Sequence, residues 1–378
     1  MPTNMRHAAA TPCVVGPLSR FRGRKIFVGA ICVSAHLALA SSALDQGLQT
    51  GGAITPFDGI YNDHFENPAN LFFSGSSQTL SGRLYRPGSV NSTTPIVILM
   101  HGCLGMWSNK QPWPDADNAV AQSAIERWGL KVSEYGYIAL AIDSFTVRTP
   151  QGVAGVTPET YQDQCNGDPT THMLPSGVTG VDPYTTRVAD IDAGIGWLRA
   201  TFGLPASSPV GLIGWSEGGE AVLVRAAETA RLMNPDGTEQ DLYASPTDQS
   251  GAIQATVTFY PGCGHALGFN MTNPIVQSDW RPHFDARINM GLSDTTTPTF
   301  VQDCQDRVQT AVSQYHAISG SGHWADFETY PGAIHSFDGT TDSQWPQFEC
   351  NNTYQPSADE CAERKADIES LNFITSRL

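Results

Sequence analysis

Apolar positions along this chain fall into short continuous runs, separated by stretches with helical spacing. Pro95–Met100 is apolar throughout, as expected of a central strand covered on both faces. Gln78–Tyr85, Tyr137–Ile142, Val210–Ile213, Ala252–Tyr260, Arg287–Gly291 and His323–Tyr330 read as further strands. Between them, Asp117–Glu134 carries Val120, Ala121, Ala124, Ile125 and Trp128 at helical intervals. Arg187–Phe202, Glu220–Arg231, Phe300–His316 and Ala362–Arg377 also suit helices. Strands that alternate with helices predict an α/β chain with a mostly parallel central sheet and helices on both faces.

Three polar stretches interrupt the alternation. Leu44–Ser77 is rich in Gly, Asn and Ser and is expected to be an N-terminal arm over the domain surface. Thr146–Tyr184 is rich in Gly, Pro and Thr. A loop of that length is usually functional or disordered, and its place after a strand C-terminus puts it beside the edge where ligands bind. It is expected to be a substrate wall. Asp338–Asp359 is a polar insertion before the last helix.

The first 43 residues differ in kind. They hold five positive side chains (Arg6, Arg20, Arg22, Arg24, Lys25) and no acid. Arg20–Lys25 resembles the basic start of an export signal, Ile26–Leu39 its apolar centre, and Ala38-Leu-Ala40 or Ser41-Ser-Ala43 a small-residue cleavage site. The expected organisation is a signal peptide over 1–43, the arm over 44–77 and one α/β domain over 78–378. The protein is then secreted or periplasmic, with no stable membrane association after processing.

Composition narrows the partners. Of 378 residues 40% are hydrophobic and 15% charged, so the chain can bury a core. A formal net charge of −16 argues against nucleic acid and anionic surfaces and favours a neutral substrate. Of eight cysteines, Cys13 and Cys32 fall in the leader. The remaining six, Cys103, Cys165, Cys263, Cys304, Cys350 and Cys361, read as disulfides in an exported chain. Sequence alone does not fix the connectivity, since six cysteines allow 15 pairings; Cys350 with Cys361, which flank a polar loop, Cys103 with Cys165 and Cys263 with Cys304 are the pairs to test first. No C-x-x-C or H-E-x-x-H pattern occurs, so neither a metal nor a cofactor is expected.

The candidate chemistry lies at Gly214-Trp-Ser216-Glu-Gly218. A strand before it and a helix after it are the context that the nucleophile-elbow motif requires. A serine hydroxyl near neutral pH needs a base, and the base needs an orienting acid. His335 follows the last strand. The other histidines precede the acid or sit within elements. Asp294 follows the Arg287–Gly291 strand and is the expected acid. Asp303 and Asp306 fall on the next helix, and Asp143 ends an earlier strand. The oxyanion requires two backbone N–H donors. Glu217 is the first, and Cys103 in the turn after His101-Gly102 the second, with Leu104 as the alternative. Trp107, Trp113, Trp215 and Trp280 fall in loops or turns near strand ends and are candidates to line a cleft.

These motifs together resemble the dienelactone hydrolase-like branch of the α/β-hydrolases. The resemblance is carried by Val97–Cys103, Asp143-Ser-Phe145, Gly214–Gly219, Phe259–Cys263, Gly291–Asp294 with Pro298, and Tyr330–Asp338. It implies the α/β-hydrolase fold and Ser216, Asp294 and His335 as catalytic. One departure matters: the founding members use a cysteine nucleophile, so their lactone substrate does not carry over. The chain is also similar to exported serine hydrolases acting on large esters, and to those that cleave β-diketones in oxidised polyvinyl alcohol. Ester cleavage through an acyl-enzyme on Ser216 is the first expectation and β-diketone cleavage the second. A peptidase and a non-catalytic binding module are further alternatives. The substrate class is a small or polymeric neutral carbonyl compound.

Overall fold

The computed structural model describes residues 68–75, 79–108, 121–145, 181, 185–233, 239–243, 253–262, 281–282, 284–295, 325–339 and 358–378, with scattered helical positions between 301 and 313. The strands are β1 (Ala69–Ser74), β2 (Thr79–Tyr85), β3 (Ile96–Met100), β4 (Ile138–Asp143), β5 (Val210–Trp215), β6 (Ala227–Met233), β7 (Glu239–Tyr243), β8 (Ile253–Phe259), β9 (Arg281–Pro282), β10 (Asp285–Gly291) and β11 (Ala325–Tyr330). The helices are α1 (Ser123–Glu134), α2 (Thr186–Phe202), α3 (Glu217–Arg225) and α4 (Ala358–Thr375).

Eight strands form one sheet in the order β1-β2-β4-β3-β5-β8-β10-β11. From β4 to β11 every pairing is parallel, while β1 and β2 add an antiparallel edge. This is the strand order of the α/β-hydrolase fold. The alternating side chains of the central strands divide the core in two. Ile96, Ile98 and Met100 of β3 join Ile138, Leu140 and Ile142 of β4 against Ile191, Ile195 and Leu198 of α2. Val97 and Leu99 face the other way, into a cluster with Ile125, Trp128 and Val132 of α1 and Ala362, Ala366 and Ile374 of α4. Burial on both faces explains why these strands read as unbroken apolar runs.

Register sets the site. Met100 pairs with Gly214, Trp215 with Phe259, Phe259 with Asn289, and Gly291 with Tyr330. Five parallel strands therefore end level, and the segments that follow them emerge along one edge.

The structure departs from expectation in three places. The helix expected over 220–231 ends at Arg225, and Ala227–Met233 is instead a strand, in a second sheet of order β7-β6-β9. Its partners, Glu239–Tyr243 and Arg281–Pro282, are not contiguous with it in sequence. Within the stretch expected to be an arm, Ala69–Ser74 pairs with β2 and buries Phe73 at 3% exposure. Trp107 and Trp215, candidates for a cleft wall, are core residues at 4% and 3% exposure, and Trp215 stacks on Phe259 at 5.6 Å. Cys361 is half-buried on α4, and its expected partner Cys350 lies outside the described residues. Cys103 and Cys304 are disulfide-bonded, but their expected partners, Cys165 and Cys263, lie outside the described residues, as do Cys350, Trp113, Trp280 and all of the Thr146–Tyr184 loop except Val181.

Candidate active site

The turn from β5 into α3 carries Ser216 at φ 51° and ψ −120°, a strained setting for a residue with a side chain. Two glycines make it possible. A Cβ on Gly214 would stand 2.3 Å from the Gly218 carbonyl oxygen, and one on Gly218 would stand 2.2 Å from that of Met100. Neither position admits another residue without moving the backbone. The Ser216 N–H donates to the Phe259 carbonyl at 3.0 Å, and its own carbonyl accepts from the Glu220 N–H at 3.1 Å. The serine is thus the N-cap of α3, whose N-terminal field favours negative charge beside it.

His335 and Asp294 arrive from the two outer parallel strands. Asp294 lies just past β10 and His335 five residues past the end of β11. The two turns are laced together: Leu292 N–H donates to the Tyr330 carbonyl at 2.9 Å, and Ser293 N–H to that of Ala333 at 2.8 Å. His335 Nδ1 then lies 2.7 Å from Asp294 Oδ2, and Nε2 lies 3.2 Å from Ser216 Oγ. A carboxylate only accepts, so Nδ1 carries the hydrogen and Nε2 is left to accept from the serine hydroxyl. The Asp294 side chain is fully buried and that of His335 is 23% exposed. The three residues expected at this site are therefore brought together.

The alternatives for acid and base are placed elsewhere. Asp143 is buried and accepts from Ser81 Oγ at 2.9 Å, Trp107 Nε1 at 2.8 Å and the Phe145 N–H at 3.0 Å. Asp306 is exposed, and Asp303 lies outside the described residues. His101 Nδ1 donates to the Gly102 carbonyl at 2.7 Å, and its Nε2 accepts the Ser144 N–H at 3.1 Å. Both ring nitrogens are engaged by the backbone, and the ring is neutral.

Two features escaped the sequence reading. The first is Arg187, fully buried near the start of α2. It donates through Nη1 to Glu217 Oε2 at 2.8 Å and through Nη2 to the His101 carbonyl, and its guanidinium lies 5.2 Å from the Phe145 ring. Burial pulls its pKa below the usual arginine value, against the opposing pull of Glu217 and Asp190. The second is Asp338. Trp215 Nε1 donates to its Oδ2 at 2.5 Å, and the Tyr260 hydroxyl to its Oδ1. The Tyr260 ring in turn lies 4.7 Å from that of His335. Burial drives the Asp338 carboxyl pKa up, which Arg127 and the Tyr260 and Trp215 donors oppose. One charged residue in the first turn of a helix and another at the head of a polar insertion gave no signal for either pairing. Among the described residues no group of three or more His, Cys, Asp or Glu side chains could hold a metal ion.

No protein-family profile matches the chain, and no curated protein matches it. Solved structures do. A protein assigned as a dienelactone hydrolase from Klebsiella pneumoniae is 16% identical, with 81% of this chain and 97% of that one covered at a TM-score of 0.47. A dienelactone hydrolase-like promiscuous phosphotriesterase from metagenomic libraries is 12% identical over 82% and 98%, at 0.46. Thermogutta terrifontis esterase 2 is 12% identical over 82% and 96%, at 0.46. Strand order and site geometry define this chain's class directly: an α/β-hydrolase fold bearing a Ser–His–Asp constellation.

Proposed function

We propose that this protein is an exported serine hydrolase that cleaves a neutral carboxylic ester through an acyl-enzyme on Ser216. The hydrogen-bonded line from Asp294 through His335 to Ser216 Oγ, on a strained elbow, carries the reading. His335 Nε2 takes the hydroxyl proton as Ser216 attacks the carbonyl carbon. Asp294 holds the imidazole in the Nδ1–H tautomer and stabilises the imidazolium. The N–H groups of Glu217 and Cys103 take the tetrahedral oxyanion. His335 returns the proton to the departing alcohol, and water repeats the sequence to free the acid.

The surroundings support a substrate without charge. Leu104, Leu292 and Ile334 are 42%, 54% and 51% exposed, and each lies within two residues of Cys103, Asp294 or His335. These apolar side chains and the net charge of −16 disfavour anionic substrates. Oxidised Cys103 and Cys304 fit an oxidising compartment, and Cys103–Cys165 and Cys263–Cys304 remain the pairs we propose.

The test is labelling of intact protein with a fluorophosphonate, followed by peptide mapping, and turnover of p-nitrophenyl esters beside a small β-diketone. Labelling of Ser216 with ester turnover supports the proposal. Turnover of the diketone alone, or labelling elsewhere, overturns it.

A further inference from the structure

We propose that Arg187 is a positioning residue for the oxyanion hole, an inference that rests on the reading of Ser216 as nucleophile. The hole is assembled from two backbone segments that meet with little side chain between them. A Cβ on Gly102 would lie 3.0 Å from Ser216 Cβ, and one on Gly218 would lie 2.4 Å from the His101 carbonyl oxygen. Bare backbone contact sets how near the segments come. It does little to fix how they are turned toward each other, and the direction of two N–H vectors is what stabilises an oxyanion.

Arg187 grips both segments. Its Nη1 holds the carboxylate of Glu217, whose own N–H is the first donor. Its Nη2 holds the His101 carbonyl, in the peptide immediately before the one that carries the Cys103 N–H. A planar guanidinium presents these donors in a rigid fork, so the two segments are held at one mutual angle. Phe145 packs against the guanidinium at 5.2 Å. Arg187 has no exposed surface, so it does not touch substrate; it acts through the groups it holds. Its Nε has no hydrogen-bond partner among the described residues, so the two terminal nitrogens carry its grip.

Three variants test this: Arg187→Met, Arg187→Lys, and Arg187→Met combined with Glu217→Leu, which keeps the Glu217 N–H position but leaves no lone buried charge. Each is measured for melting temperature, for kcat per phosphonate-titrated serine, and for inhibition by a trifluoromethyl ketone against the alcohol of the same shape. The ketone's adduct places an oxyanion in the hole and the alcohol does not. Arg187→Met is expected to lose about 10- to 100-fold in kcat, less than deletion of a donor, with KM within about threefold. Ketone inhibition should weaken in step, alcohol inhibition should hold, and Arg187→Lys should recover part of the loss. The double variant should regain melting temperature without regaining kcat. Recovery of both together, or a kcat in Arg187→Met within about threefold of the parent, overturns the proposal. Failure of the underlying reading shows separately, as turnover that survives Ser216→Ala.

Discussion

His101 and His335 occupy matching places. Each follows the end of a parallel strand, and each stands beside a buried aspartate: Asp143 at 3.9 Å from His101, Asp294 at 2.7 Å from His335. Only one of them is fit to act as a base. In the His101 region both ring nitrogens and both carboxylate oxygens are already committed, the ring to Gly102 and Ser144 and the carboxylate to Ser81, Trp107 and Phe145. In the His335 region the carboxylate fixes one nitrogen and the other faces a hydroxyl. A histidine–aspartate neighbourhood becomes chemistry when one lone pair is left for a substrate proton. When backbone donors fill it, the same residues become a strut.

The largest expected effect falls on the second region. Ser216→Ala or His335→Ala should each lower kcat on the order of 10⁴- to 10⁶-fold in folded protein, and the double variant should fall little further. Retention of a tenth of kcat in either would end the comparison. Asp294→Asn should cost about 10³- to 10⁴-fold by favouring the wrong tautomer. Asp143→Asn should cost less turnover than Asp294→Asn but lower the melting temperature. A reversal of that order, with both proteins folded by circular dichroism, would mean that the acid has been assigned to the wrong carboxylate. Removing the strut, by His101→Leu, strands the Ser144 N–H in the core and should cost about 1–3 kcal/mol in urea unfolding.

The smallest effect is a pH dependence. Asp338 binds its proton more tightly when folded than unfolded. Its contribution to stability is therefore greatest at low pH and declines as pH rises from the ordinary carboxyl value toward the raised one. Relative to Asp338→Asn, the parent protein should lose unfolding free energy across that window and then level off. An Asn variant that tracks the parent at every pH would remove Asp338 as the source.

Sequence served well where one physical demand dominates. The apolar run at 95–100 and the Gly-x-Ser-x-Gly spacing each answer a single constraint: burial on two faces in one, backbone clash in the other. The segment after Arg225 answers two at once. Ala227-Glu-Thr-Ala-Arg-Leu-Met233 suits a helix by propensity, and the choice of strand depends on partners at 239–243 and 281–282 that no local window contains. The edge strand at 69–74 was hidden by its polar surroundings, although Leu71, Phe72 and Phe73 marked it. Arg187 and Asp338 were invisible for a different reason. A buried charge is recognised by what surrounds it, and its surroundings come from distant parts of the chain.

Helix α4 gives the fold a temporal order. Asp359 accepts the Ile334 N–H at 2.9 Å, one residue before the base. Asp367 binds Trp128, Arg127 and Lys131, while Glu363 binds Arg127, which also reaches the Asp338 carbonyl. During synthesis α4 leaves the ribosome after every strand of the sheet. A nascent chain thus holds serine, aspartate and histidine before it holds the helix that steadies the histidine's loop. On the function proposed above, catalytic competence then depends on a segment that lies beyond all three residues of the site in sequence. Phosphonate labelling of the purified chain truncated at residue 357, against the chain that runs through 378, reads that dependence directly.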